Sequence, residues 1–373
     1  MDILPQNFRT LWLCGLWNEN YKLTPIVFIY KSIVLLMIIH ISSGQVFYVF
    51  ATSKNVKELS SGLVFTVTFV TLCVKLCNFI FKLNDMKQLL NLFRENIYST
   101  LVIEERIIFD NYRNRNDRFF LSILIVSQSI SLTQLILPIV KWREKIELPF
   151  KIYDLFFVRN STQLMILYVI QVIECSYSVL LNVCFDTMAC GFINLTSCLF
   201  DILSLRLRNT SRNKNLSSGS MKNCYKLHID ALKILESINS FFMGSIAIVF
   251  VLILLVICSG IFLLTEKSSL LSADKLILPY FIGYIIVQAY VYCWFGTELE
   301  EKVKNLAVAA YETNWCCASV TEVKNLSFMI LIAQRGSNVS FKGLCTLSHE
   351  TFGLVKKIQI DYNPKCRINN FCT

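Results

Sequence analysis

Side chains that could carry out catalysis or bind a metal ion are widely separated in this chain of 373 residues. The histidines, His40, His228 and His349, show no spacing typical of metal ligands. The sequence contains no glycine-rich phosphate loop and no G-x-S-x-G turn. Most of the 15 cysteines lie within or beside apolar segments, where packing is their usual role. We therefore predict that the protein is not an enzyme and carries no cofactor or metal ion.

Polar residues that could orient a bound molecule lie inside long apolar stretches. Gln171 and Glu174 are about one helical turn apart, and buried polar groups in lipid usually face a bundle interior or a cavity. Tyr280, Tyr284 and Gln288 recur every four residues and so share one helical face. These residues are candidates for contact with a ligand. Aromatic residues at helical spacing can equally pack against a neighbouring helix.

The elements that must position these residues are membrane helices. With 54% hydrophobic and 17% charged residues, the chain is too apolar for an ordinary soluble protein. A helix needs about 20 predominantly apolar residues to cross a bilayer. Lys31 and Lys75 lie near predicted cytoplasmic ends, where their ammonium groups are expected to reach the lipid headgroups. Six stretches are long enough: 26–50, 59–81, 119–140, 162–185, 246–264 and 276–297.

The distribution of basic residues between the spans predicts the orientation of the chain. Eighteen Lys and Arg fall on the side of the amino terminus and nine fall on the other side. Because cytoplasmic loops carry the excess of Lys and Arg, residues 1–23 are expected in the cytoplasm. The basic residues are thus explained by orientation in the membrane, and no nucleic-acid partner is expected. This orientation leaves Asn160 outside as a candidate glycosylation site, with Asn209 and Asn215 inside.

Long polar segments between the spans are predicted to be helical extensions into the cytoplasm. Residues 82–118 and 200–240 place apolar residues three or four apart among charges, as amphipathic helices do. A Ser-, Asn- and Gly-containing insert at 209–223 is predicted to be a flexible loop. The domain organisation is then the amino-terminal segment, six spans over 24–297 and a cytoplasmic segment over 298–335.

An ordered series of short motifs follows the sixth span. It reads YCWFGTELEEKVKNLAVAAYETNW, then VKNLSFMILIAQR, then LSHETF. The series resembles the carboxy-terminal region of insect odorant receptors, and LPFKIYDLFFVRNSTQLMILYVIQ resembles their outer loop and fourth span. The resemblance covers most of 119–355 and is strongest over 288–355. The matching residues are Tyr292, Cys293, Gly296, Ala309, Tyr311, Trp315, Lys324, Leu326, Arg335, Leu347, Ser348, Glu350, Thr351 and Phe352.

The resemblance implies an all-α integral membrane protein, a seven-helix bundle with a cytoplasmic amino terminus. It implies an olfactory receptor subunit that is embedded in the lipid of the plasma membrane, in the dendrite of a sensory neuron. With the family's co-receptor this subunit would form a hetero-oligomer, a tetrameric odorant-gated non-selective cation channel. In the family the segment before the last helix builds most of the contact between subunits, which assigns Tyr311 and Trp315 to the assembly interface. Alternatively, these two aromatic residues pack within their own chain.

The resemblance also locates an odorant pocket in the outer halves of spans two, three, four and six. An apolar pocket with a few orienting polar groups suits a small volatile ligand. The residues themselves do not specify the odorant or the breadth of tuning. The candidate pocket residues are Phe65, Phe69, Ser131, Gln134, Tyr168, Gln171, Tyr280, Tyr284 and Gln288.

The last helix of the family continues through an apolar run, but here the likeness stops near Lys356. Its pore-helix start, within 336–358, is matched by Ser348, Glu350, Thr351 and Phe352. Residues 359–373 are polar and contain Pro364, which breaks a helix. From Leu347 to Ile360 the helix would measure only about 21 Å, short of a hydrocarbon core of roughly 30 Å. We predict that the pore end is truncated or replaced, through an alternative exon, a retained intron or a gene-model error.

Other readings of the sequence remain open. An insect gustatory receptor would share the architecture and take non-volatile ligands, and a splice variant of an odorant receptor would be silent. A G-protein-coupled receptor would need an outside amino terminus and usually an Asp-Arg-Tyr triplet, whereas the inner end of span three reads NRNDRFF. A transporter or membrane enzyme would need internal repeats, paired ionisable groups or a motif.

Overall fold

Helices dominate the computed structural model, which describes residues 3–18, 25–52, 55–98, 101–140, 148–150, 152, 160–212, 218–265, 274–336, 339–341, 345–350 and 353. Within these ranges the α-helices are Pro5–Leu13 (α1), Pro25–Thr52 (α2), Val56–Phe81 (α3), Leu83–Tyr98 (α4), Ile103–Val140 (α5), Ser161–Arg212 (α6), Ser218–Thr265 (α7), Asp274–Tyr311 (α8) and Val320–Arg335 (α9). A 3-10 turn covers Trp315–Cys317, and Ser340–Phe341 (β1) pairs antiparallel with Cys345–Thr346 (β2).

Six of the described helices, α2, α3 and α5 to α8, are long and apolar enough to cross a membrane. Each of the six predicted spans lies within one of them. Their outer faces carry exposed apolar side chains, such as Ile26 at 79% and Phe50 at 80% exposure on α2. These faces are suited to lipid, because a helix satisfies its own backbone hydrogen bonds and needs no water there.

The longest helices extend far beyond the thickness of a membrane. α6 has 52 residues and α7 has 48, which give about 78 Å and 72 Å at ~1.5 Å per residue. Spans and extensions therefore form continuous helices. The predicted loop at 209–223 is largely helical, since α6 continues to Arg212 and α7 begins at Ser218. Asn209 lies within α6, and its side chain donates a hydrogen bond to Glu104 of α5 at 3.4 Å.

α6 is the central helix of the bundle and packs against α1, α2, α3, α5, α7 and α8. Every residue from Val183 to Phe200 is buried. A helix can be enclosed on all sides only when its polar side chains have partners. Asn194 donates to the side chain of Asn116 at 2.7 Å, and the Thr196 hydroxyl donates to the Phe192 carbonyl at 2.9 Å. The second half of α6 thus forms the core, while its first half borders lipid.

Charged side chains join α5, α6 and α8 beyond the predicted spans. Arg115 on α5 forms a two-point ion pair with Glu298 on α8. Lys302 on α8 lies 2.8 Å from Asp201 on α6, and the hydroxyl of Tyr112 donates to the same carboxylate at 2.6 Å. These contacts pack the helical extensions into one body that continues the bundle.

The amino-terminal helix α1 docks against the middle of α6. Asn7 donates a hydrogen bond to the Cys184 carbonyl at 2.9 Å. Leu4, just before α1, packs against Gly191, where an added Cβ would overlap the leucine side chain. The small residue on α6 therefore allows the amino-terminal segment to approach closely enough to join the core.

Cys14, which follows α1, is fully buried, and burial raises the pKa of its thiol to about 12. The thiolate is the reactive form, so at pH 8 the folded chain holds almost no reactive Cys14. We expect maleimide to modify the exposed Cys316 and to leave Cys14 unmodified, even at pH 9. Peptide mass spectrometry of the solubilised chain measures both sites. Equal labelling before unfolding would contradict the docking of α1.

Candidate functional site

A cavity of about 100 Å³ lies within the bundle and is lined by residues of α3, α5, α6, α7 and α8 and by Phe150. Its wall is mainly apolar and aromatic. The ring of Phe65 lies 5.1 Å from that of Phe281, and the ring of Phe150 meets that of Phe69 edge to face at 5.6 Å, measured between centroids. Aromatic rings supply a large apolar surface with few conformations. The cavity therefore suits a small, mostly apolar molecule.

Six of the nine predicted pocket residues line this cavity: Phe65, Phe69, Ser131, Gln134, Tyr284 and Gln288. The other three lie outside its wall. Tyr280 is half exposed, with its hydroxyl 3.1 Å from that of Ser129. Positions four residues apart on a helix drift by about 40°, so Tyr280 is rotated about 80° from Gln288. Tyr280, Tyr284 and Gln288 are thus spread over too wide a helical face for all three to reach one cavity.

Tyr168 and Gln171 on α6 do not line the cavity but form hydrogen bonds to the backbone of neighbouring residues. The Tyr168 hydroxyl donates to the Leu135 carbonyl of α5. Gln171 is completely buried and binds the backbone of Phe150 at two points: its Oε1 accepts from the Phe150 N–H at 3.2 Å, and its Nε2 donates to the Phe150 carbonyl at 3.0 Å. Gln171 therefore positions the aromatic ring that closes the cavity.

Replacing Gln171 with Leu should loosen Phe150. The change leaves a buried N–H and a buried carbonyl without partners, which destabilises the fold by about 2 kcal/mol. The apparent Tm of the purified chain in detergent measures the effect. Gln134→Leu makes the same chemical change in the cavity wall without touching Phe150, and it should leave the Tm nearly unchanged. Equal losses in both variants would contradict the role given to Gln171.

A buried ion pair joins α3 to α6 next to the cavity. Lys75 Nζ lies 2.5 Å from Asp186 Oδ1, and both side chains are less than a tenth exposed. Lys75 also donates to Asn182 Oδ1 at 2.7 Å, while Asp186 accepts from Gln288 Nε2 at 2.6 Å and from the Tyr292 hydroxyl at 2.5 Å. Asn182 and Gln288 also line the cavity. These five residues form what we call the polar cluster.

The prediction for Lys75 was wrong, because its ammonium group turns inward to Asp186 instead of reaching the headgroups. A buried charge in lipid usually pairs with another. The charge of Asp186, one residue past the predicted fourth span, was a signal in the sequence. The periodicity of α3 and α6, however, does not show which faces of the two helices contact each other.

Glu174, singled out as a polar residue in the fourth span, is also paired. Its Oε1 lies 2.7 Å from Nδ1 of His40 on α2, and its side chain is 2% exposed. Its other carboxylate oxygen has no hydrogen-bond partner in the described part of the chain. Glu174 is not among the residues that line the cavity, whereas its neighbour Cys175 is.

The predicted assembly residues lie at the far end of α8. Tyr311 is 68% exposed and Trp315 is 45% exposed, so neither is buried in its own chain. Their spacing of four residues would place them on one face of a continuous helix, but they do not lie on the same helix. α8 ends at Tyr311, where the Thr313 hydroxyl donates to the Ala310 carbonyl at 2.7 Å, and Trp315 begins the 3-10 turn.

The residues that precede the expected pore helix return to α8. The His349 N–H donates to the Thr297 hydroxyl at 3.1 Å, and buried Leu347 packs on Gly296 so closely that a Cβ there would overlap the leucine carbonyl. Of the predicted pore-helix start, Ser348 is half-buried and Glu350 exposed. Thr351, Phe352 and the tail 359–373 lie outside the described residues. Asn160 is exposed just before α6, and its glycosylation stays a prediction.

The sequence is similar to those of odorant receptors. A sequence model of the 7tm odorant receptor family matches residues 55–358. Odorant receptor 94a of Drosophila melanogaster is 23% identical over 266 residues, which cover 70% of the chain and 68% of that receptor. Putative odorant receptor 92a of the same fly is 24% identical over 184 residues, which cover 48% of the chain and 44% of that protein.

The fold is similar to that of the insect olfactory receptor OR5 from Machilis hrabei. The TM-score is 0.85 at 15% identity, with 96% of each chain covered. The structure of OR5 in complex with eugenol gives a TM-score of 0.85 at 16% identity, again with 96% of each chain covered. At these identities the likeness bears on the fold, and it confirms the predicted all-α membrane architecture.

Proposed function

Because the chain belongs to the 7tm odorant receptor family, a family of receptors and not of enzymes, we propose that it is an odorant-binding subunit of an odorant-gated, non-selective cation channel. The observation that carries the proposal is the mainly apolar cavity within the helix bundle. All of its lining residues fall within the matched range 55–358. The match to odorant receptors also favours a volatile ligand over the non-volatile ligands of a gustatory receptor.

The size of the cavity limits the ligand. Its volume of about 100 Å³ is smaller than the roughly 150 Å³ of an apolar cavity that holds benzene. A compact volatile molecule would need only small side-chain movements, and a larger one would displace a wall residue such as Phe150. Binding opens a channel only if the ligand prefers the open arrangement over the closed one.

Whole-cell current after co-expression with the family's co-receptor tests the proposal, with eugenol, the ligand of the OR5 complex, as a first compound in an odorant panel. Ser131→Phe fills the cavity and should abolish every response at unchanged surface abundance. Leu132→Phe changes the exposed face of the same helix and should leave responses intact. Responses that survive in the Ser131→Phe variant would place the ligand elsewhere.

We also propose that Tyr311 and Trp315 contact the co-receptor in the plasma membrane of a sensory neuron. Their exposure supports this, because large exposed aromatic side chains are common anchors of interfaces. Trp315→Ala is expected to reduce co-purification with the co-receptor about tenfold. Trp12→Ala removes an equally large exposed ring from α1 and should have no effect. Full co-purification of the Trp315→Ala variant would contradict the interface.

The polar tail 359–373 lies beyond the matched range, and we propose that it does not supply the family's pore end. A repaired variant, tested in the same current measurement, replaces the residues after Ile358 with a family-like apolar helix end. Current from the repaired variant alone would identify the tail as that of a silent isoform. Equal currents from both chains would show that other subunits complete the pore.

A further inference from the structure

Two side-chain amides in the cavity wall, Asn182 and Gln288, are held by the same ion pair. Asn182 Oδ1 lies 2.7 Å from Lys75 Nζ, and Gln288 Nε2 lies 2.6 Å from Asp186 Oδ2. The two amides come from α6 and α8, and both line the cavity. Their bonds to one ion pair bring them close together. The polar cluster thus fixes two groups that a bound molecule can reach.

The chemistry of the ion pair determines which way each amide points. An ammonium group can only donate, so the oxygen of Asn182 must face Lys75. A carboxylate can only accept, so the nitrogen of Gln288 must face Asp186. The Nδ2 donor of Asn182 and the Oε1 acceptor of Gln288 are left over, and neither has a hydrogen-bond partner among the described residues.

We propose, on the basis of the proposed function, that this donor and this acceptor form a hydroxyl-binding subsite and that the cavity takes a small alcohol or phenol. The ligand hydroxyl donates to Gln288 Oε1 and accepts from Asn182 Nδ2. Its apolar body lies against Phe65, Phe281 and Ile253, which line the same cavity.

Ligands of equal shape should therefore differ in affinity by their hydrogen-bonding groups. A hydroxyl satisfies both amides, whereas a carbonyl oxygen accepts from Asn182 only. A hydrocarbon leaves a donor and an acceptor buried without partners, which is unfavourable. Cyclopentanol, cyclopentanone and cyclopentane form such a series, with one ring size and a single changed group.

The first measurement is the apparent Kd of each compound for the purified full chain, from the concentration dependence of its thermal stabilisation. We expect cyclopentanol to bind about tenfold more tightly than cyclopentane, as one or two net hydrogen bonds provide, with cyclopentanone between them. Gln288→Leu and Asn182→Leu should each reduce this preference to about twofold or less. Gln134→Leu removes a cavity amide outside the polar cluster and should retain it.

Equal binding of cyclopentane and cyclopentanol, or a preference that survives both Leu variants, would overturn the subsite, as would no binding of any of the three. Odorant-evoked current with a preference for hydrocarbons would overturn the subsite and keep the receptor function. Tight binding of cyclopentanol without current from any odorant would support the subsite and overturn the channel function. The two proposals can thus fail separately.

Discussion

Asp186→Leu is expected to destabilise the folded chain by about 3–5 kcal/mol, because it leaves the ammonium group of Lys75 buried without its counter-charge. Asn182 alone cannot neutralise that charge. The measurable result is a large drop in the amount of monodisperse protein after heating in detergent, followed by size-exclusion chromatography. Surface abundance in cells should fall in parallel, since unfolded chains are degraded.

Two controls distinguish the loss of a buried pair from the loss of any charge. The double variant Lys75→Leu with Asp186→Leu removes both charges and should recover part of the stability, since apolar pairs often replace buried ion pairs without penalty. The recovery is incomplete because Asn182, Gln288 and Tyr292 lose their hydrogen-bond partners. Glu312→Leu removes the carboxylate of a half-exposed pair with Arg208 and should cost about 1 kcal/mol or less. A double variant as unstable as Asp186→Leu would contradict the explanation.

Gly296→Ala should release the residues that precede the expected pore helix. The added methyl group would overlap the carbonyl of Leu347, and such overpacking costs about 1–3 kcal/mol. The hydrogen bond from the His349 N–H to Thr297 would be lost with it. We expect the odorant-evoked current to fall about tenfold or more at unchanged surface abundance.

Gly283 provides the matched control for this variant on the same helix. No heavy atom lies within 4 Å of a Cβ built there. Gly283→Ala should therefore leave the current unchanged and stabilise α8 slightly, since Ala favours a helix by about 1 kcal/mol over Gly. Equal currents from Gly296→Ala and Gly283→Ala would show that the close contact with Leu347 has no part in gating.

The spans could be predicted because hydropathy is local, and α2, α3 and α5 to α8 contain them where expected. Phe65 and Phe69, which line the cavity, could be assigned because the family resemblance locates the pocket in the outer half of their span. Gln171 could not be assigned correctly, since its partner is the backbone of Phe150. The ion pair of Lys75 and Asp186 was missed because the relative rotation of two helices depends on packing.

The position at which α8 ends could not be predicted from the sequence either. Tyr311 and Trp315 have the spacing of one helical face, yet the helix stops between them. Neither Gly nor Pro marks this end, and the hydroxyl of Thr313 closes the last turn instead. Exposure of both rings, which decides whether they can meet a partner, follows from the tertiary fold.

The unbroken length of α8 makes it a mechanical lever. One continuous helix carries Phe281 and Gln288 in the cavity wall and ends at exposed Tyr311. From Gln288 to Tyr311 the arm measures about 35 Å, so a tilt of about 5° at the cavity displaces its far end by about 3 Å. A side-chain movement too small to repack the core would thus arrive at the exposed ring of Tyr311 as a displacement of about an atomic diameter.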